Sequence, residues 1–122
     1  MYKENTFFEY FDAYRNRYGE YENRPIEELF SEIMEYAKKM SNDEQEHILS
    51  AFEMGKTAHA GQKRKTGQPF FTHPLTIACM MLQYQPDADL IAATLLHDTI
   101  EDTSLTMDDI EKISPGVASI VE

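Results

Sequence analysis

The chain has 122 residues, of which 42% are apolar and 27% charged, and it has one cysteine, Cys79. That length holds a single domain able to build a core without staples, and a lone cysteine excludes a disulfide framework and fits a reducing compartment. No apolar run approaches a membrane span, and MYKENTFFEY has none of the marks of a signal peptide, so a cytoplasmic location is expected.

The formal net charge of −11 argues against general nucleic-acid binding, which needs basic surface to neutralise phosphates. Its distribution is uneven. Residues 1–53 hold thirteen acids against six bases, and residues 87–122 hold nine acids against one. Residues 54–86 contain no acid and carry Lys56, Lys63, Arg64 and Lys65. One basic island in an acidic chain suits either a small polyanion held at one place or a solvated loop.

Helix signals dominate. Phe7, Phe8, Phe11 and Tyr14 have helical spacing and predict a first helix over 4–17, whose aromatic face reads as core or as a contact in a homo-oligomer. Pro25 sits where a second helix begins, and Ile26, Leu29, Phe30, Ile33, Met34 and Ala37 form one apolar stripe. Ser41 followed by Glu44 has capping-box form and opens a third helix to about Ala60.

The segment AGQKRKTGQPFFT, 60–72, with two glycines, a proline and little periodicity, predicts a loop or a short extended piece. Pro74 is expected to start a fourth helix in which Cys79, Met80 and Met81 pack. Asp87 is placed to cap a fifth over 88–102, Thr106 with Asp109 to cap a sixth, and Ser114-Pro115 to open a seventh. No run alternates long enough to build a sheet, so the fold is expected to be all-α, a bundle of about six to seven helices.

The stretch LLHDTIEDT, 95–103, puts a histidine and three acids where the apolar run of the fifth helix ends. Carboxylates there face the negative end of the helix dipole and are disfavoured. On a continuous helix His97 and Glu101 share a face, as do Asp98 and Asp102. One imidazole nitrogen and one carboxylate oxygen make a half-shell suited to Mn, Fe, Zn or Co, although HDxxED also fits a solvated helix end. His73, beside Pro74, is expected at the start of the fourth helix, and antiparallel packing sets that start beside the end of the fifth. It equally fits a histidine that caps a helix or bridges the loop. His59 reads as a residue shaping the loop, and His47 as exposed.

The blocks AHAGQKRKTGQPFFTHPLTIA, LIAATLLHDTIEDT and LTMDDIEKISPGVASIVE together resemble the N-terminal hydrolase domain of the RelA/SpoT homologue family, within the HD superfamily of metal-dependent phosphohydrolases. The likeness covers roughly residues 44–122, so the chain divides into 1–40, without clear resemblance, and an HD-type hydrolase domain over 41–122. The resemblance implies an all-helical HD fold and a manganese-dependent enzyme that removes the 3′-pyrophosphate of guanosine tetra- or pentaphosphate, (p)ppGpp. It implies His73, His97 and Asp98 as metal ligands and Glu101 and Asp102 as the acids that handle the attacking water. Arg64, Lys65 and Thr66 fall on the family's nucleotide-holding loop, with threonine where serine is common. The family pattern continues past IVE to a further aspartate ligand, so the domain is expected to be incomplete at its C-terminus. Two other readings are an HD phosphohydrolase for a different nucleotide and a catalytically silent module that binds nucleotide or a partner protein.

Overall fold

The structure, a computed structural model, describes residues 17–65 and 67–121, apart from the side chains of Glu101 and Asp102. The helix expected over 4–17 lies outside the described residues except for its last position, and residues 17–22 are helical. Seven helices then follow: α1 (Ile26–Ala37), α2 (Asn42–Ala58), α3 (Thr72–Met81), α4 (Ala88–Leu96), α5 (Thr99–Asp102), α6 (Met107–Glu111) and α7 (Pro115–Val121). Among the described residues there is no strand, only an isolated bridge between Lys63 and Pro69. The all-α expectation is borne out.

Local chemistry accounts for most of the boundaries. Pro25 precedes α1, whose Leu29, Ile33 and Ala37 recur every fourth residue and are fully buried. At the start of α2 the Ser41 hydroxyl accepts from the Glu44 amide while the Glu44 carboxylate accepts from the Ser41 amide, the reciprocal capping box. Asp87 caps α4 by accepting from the Leu90 amide at 2.8 Å. Thr106 and Asp109 form a second capping box on α6, and the hydrogen bonds from Thr106 hold the Asp109 carboxyl below the usual range. Pro115 occupies the first position of α7, where its missing N–H costs nothing.

Two boundaries differ from expectation. α3 begins at Thr72, two residues before Pro74. Its first turns are held by the His73 amide on the Phe70 carbonyl and the Leu75 amide on the Phe71 carbonyl. Pro74 is then the third helical residue, still among the four whose N–H groups have no intrahelical partner. The larger correction concerns 88–102, which is not one helix. α4 stops at Leu96, His97 and Asp98 form a turn, and α5 restarts at Thr99. The Thr99 hydroxyl donates to the Leu96 carbonyl at 2.6 Å, and Asp98 adopts φ −96° and ψ −3°, the bridge region between α and β. His97 and Glu101 therefore do not lie on one uninterrupted helical face.

α4 is the centre of the bundle and packs against α2, α3 and α7. Ile91, Ala92, Ala93, Leu95 and Leu96 are all at most 2% exposed, as befits a helix that is apolar almost all round. α1 joins the same core through α3, and its Phe30 stacks on Phe52 of α2 with ring centroids 3.8 Å apart. Cys79 is buried, as expected, and burial pushes its thiol up to about 12, so it packs rather than reacts. His47, expected to be exposed, is half-buried.

The approach of α2 to α4 depends on Gly55. A Cβ there would lie 2.5 Å from Phe71 Cε1 and 3.1 Å from the Leu95 carbonyl oxygen. Alanine is the better helix former by about 1 kcal/mol, but overpacking costs about 1–3 kcal/mol. Gly55→Ala should therefore destabilise the protein in urea unfolding, and a raised midpoint would show that the α2–α4 contact is looser than described.

Candidate metal centre

The site is built where the start of α3 meets the end of α4. His73 is the second residue of α3, and His97 and Asp98 form the turn that ends α4. One ligand atom from each of these three residues lies within 4.8 Å of the other two. The proximity expected from antiparallel packing of the two helices is observed, with the imidazole centroids 6.5 Å apart.

Hydrogen bonding fixes which atom His97 offers. Its Nδ1 is 2.7 Å from the Thr94 carbonyl oxygen, and a carbonyl only accepts, so Nδ1 carries the proton. In the neutral ring the lone pair is then on Nε2. That Nε2 lies 3.2 Å from Oδ2 of Asp98. Two acceptors facing each other at this distance repel unless a cation, either a proton or a metal ion, sits between them. Ligands bonded at 2.0–2.2 Å to one transition-metal ion are spaced about 3.0–3.4 Å apart, so the His97–Asp98 pair already has the separation that such an ion imposes.

His73 is half-buried, and its Nδ1 lies 2.6 Å from the hydroxyl of Tyr18. Burial holds its imidazole below the ordinary value, Arg64 and His97 push the same way, and Asp98 opposes them. The neutral form, which alone can coordinate a metal, is thereby favoured. A mixed nitrogen and oxygen donor set fits a divalent transition metal, and His73, His97 and Asp98 are the residues that can hold it.

The basic loop sits beside this cluster. It folds back on itself through the Arg64 amide on the Gln68 carbonyl, the Gly67 amide on the Arg64 carbonyl and the Phe70 amide on the Gln62 carbonyl. Gly67 turns the chain with φ +89°, a conformation open to glycine without strain. His59, 2% exposed, shapes the loop as expected by pairing its Nδ1 with Gln62 Oε1 at 2.9 Å. Lys63 and Lys65 are exposed. Arg64 is half-buried, and its Nη1 donates to the Tyr18 hydroxyl at 2.7 Å and lies 3.5 Å from Oε2 of Glu22. Thr66 lies outside the described residues. Glu101 and Asp102 are placed by their backbone in α5, directly after the His97–Asp98 turn, while their side chains are outside the described set.

Tyr18, Glu22 and Thr94 were not singled out by the sequence. Thr94 precedes His97 by three residues and contributes a backbone carbonyl, for which side-chain identity carries no signal. Tyr18 is 55 residues from His73, in a segment that shows no motif.

The HD-domain model matches residues 51–122. The chain is 40% identical over 98 residues to a guanosine-3′,5′-bis(diphosphate) 3′-pyrophosphohydrolase of Aquifex aeolicus, covering 80% of this chain and 13% of that protein. It is 37% identical over 84 residues to the bifunctional (p)ppGpp synthase/hydrolase SpoT of Escherichia coli, covering 68% of this chain and 12% of the relative. A probable guanosine-3′,5′-bis(diphosphate) 3′-pyrophosphohydrolase of Mycoplasma genitalium is 43% identical over 90 residues, 73% of this chain and 12% of that protein. The chain thus spans about an eighth of the length of these curated relatives. The RelA/SpoT resemblance read from the sequence is borne out by these matches. With its helical bundle and its histidine–aspartate turn, the chain belongs to the HD-domain family.

Proposed function

We propose that this domain hydrolyses (p)ppGpp at the 3′ position, releasing pyrophosphate and GDP or GTP, with manganese as its metal and the cytoplasm as its place of work. The observation that carries the reading is the cluster of His73, His97 and Asp98, with His97 Nε2 3.2 Å from Asp98 Oδ2. Three relatives whose names include (p)ppGpp hydrolysis or 3′-pyrophosphohydrolase activity supply the substrate.

In this reading His73, His97 and Asp98 hold the divalent ion, which when bound supplies Lewis-acid polarisation of oxygen near neutral pH. Glu101 and Asp102 orient the attacking water and take its proton. The water oxygen bonds to the phosphorus attached at the 3′ position, the bond from that phosphorus to the ribose 3′ oxygen breaks, and the 3′ oxygen ends protonated. Arg64 binds the nucleotide, through a fork of N–H groups to phosphate or by stacking on guanine, and Lys65 adds a point charge. Thr66 belongs to the same loop and completes its contact with the nucleotide.

The direct test is pyrophosphate release from ppGpp by the purified chain with manganese added, against a chelator control. Release that needs the metal is the expected result. A protein that binds manganese yet releases nothing from ppGpp would shift the reading to another nucleotide or to a silent binding module. Asp98→Ala should abolish manganese binding in calorimetry, because it removes one ligand and the negative charge facing His97. Glu101→Gln should retain the metal while slowing turnover by about 10²–10⁴-fold, the range for loss of a general base. Undiminished turnover in that variant would remove Glu101 from the mechanism.

A further inference from the structure

The helical segment 17–22 reaches the site from outside the part of the chain that the HD-domain match covers. Its Tyr18 hydroxyl meets two functional side chains at once, His73 Nδ1 at 2.6 Å and Arg64 Nη1 at 2.7 Å. The phenol ring also lies under the guanidinium, with Arg64 Cζ 5.6 Å from its centroid, and tilts against the His73 ring at 5.8 Å. The segment is tied down independently, since Gln68 Nε2 donates to the Glu22 carbonyl at 2.6 Å and to Asn23 Oδ1 at 2.8 Å.

Reading His73 as a ligand through Nε2 gives this arrangement a direction. Arginine only donates, so Arg64 takes up one lone pair of the Tyr18 oxygen. A phenolic oxygen can also accept from an imidazole N–H. For His73 to present a lone pair from Nε2, its proton must be on Nδ1, and that N–H needs an acceptor. Tyr18 is the acceptor in place. The arrangement matches that at His97, where the Thr94 carbonyl fixes Nδ1–H and frees Nε2. Partners of this kind set the tautomer and ring orientation of metal-bound histidines.

We propose that Tyr18 is a positioning residue of the metal centre, holding His73 with Nε2 toward the ion while its oxygen anchors Arg64 alongside. The inference rests on the reading of His73 as a ligand and assigns a role in the site to a residue from the N-terminal segment. On this reading the effect of Tyr18 on the ion passes through His73, and its contact with Arg64 acts on the loop alone.

The test is Tyr18→Phe in the full chain, which keeps the ring and removes one oxygen. Manganese binding is measured by calorimetry in the absence of nucleotide. The expected result is a dissociation constant raised about tenfold or more, in line with loss of an outer-shell partner. The manganese concentration for half-maximal ppGpp hydrolysis should rise in parallel, with turnover recovering at saturating metal. A purely structural tyrosine would lower the melting temperature and leave the dissociation constant unchanged, and an unchanged constant overturns the proposal. Circular dichroism verifies that the variant is folded. If it is not, Tyr18→Trp, which restores bulk without an acceptor oxygen, is measured the same way. Should the parent chain bind manganese but leave ppGpp intact, the substrate reading fails, and the calorimetric comparison still decides the role of Tyr18.

Discussion

The site depends on one juxtaposition: Nε2 of His97 and Oδ2 of Asp98 lie 3.2 Å apart, a spacing that a proton or a metal ion between them satisfies. His97 cannot rotate away without giving up the Thr94 carbonyl, and Asp98 is fixed in the turn by Thr99, whose hydroxyl closes on the Leu96 carbonyl. The backbone that carries the pair is continuous with α4, whose Ile91, Ala92, Ala93, Leu95 and Leu96 are buried in the core. Packing of the core thus fixes where the turn that carries both side chains lies, the preorganisation a binding site requires.

That coupling explains why the apolar run and the acids adjoin. α4 is buried on nearly all sides because α2, α3 and α7 surround it, and its C-terminal carbonyls emerge at the site. Two of those carbonyls are used locally. Thr94 takes the His97 N–H and Leu96 takes the Thr99 hydroxyl, so the helix end is satisfied without continuing. The helix end is unfavourable for carboxylates because of its dipole, and a bound divalent ion outweighs a dipole effect of some tenths of a kcal/mol. The burial of α4 in turn relies on the close approach at Gly55, which lets the Phe71 ring reach the α2–α4 seam just before His73 enters α3.

Much of this was legible in the sequence wherever the signal was local. The Ser41–Glu44 and Thr106–Asp109 boxes, the Asp87 cap and Pro115 each act within four residues, and each appears as expected. The turn at His97–Asp98 was not legible, because apolar periodicity runs up to it and α5 resumes after it. What ends α4 is a competition between side-chain and main-chain hydrogen bonds, and threonine at position 99 does not announce its outcome. His73 was expected beside the end of the fifth predicted helix and lies there, but its position inside α3 was missed because proline marks the first turn of a helix rather than one residue of it. Tyr18 was illegible for a different reason. Its contacts with Arg64 and His73 span 46 and 55 residues, and only tertiary packing creates them.

The basic island changes meaning once the side chains are placed. By charge alone Lys63, Arg64 and Lys65 form one patch, yet they divide into two kinds. The lysines are exposed and contribute a field that a polyanion meets first, with little geometric preference. Arg64 is withdrawn, half-buried, and shares its Nη1 between a phenol oxygen and the Glu22 carboxylate. A guanidinium held in this way has lost much of its rotamer freedom before any ligand arrives, and its remaining N–H groups keep the planar fork that suits phosphate. Glu22 also limits the local positive charge beside the nearby histidines. The acidic surroundings of the loop therefore do not contradict an anionic ligand. One carboxylate of that acidic surface pairs with the arginine and lowers the positive charge beside His73, His97 and Asp98.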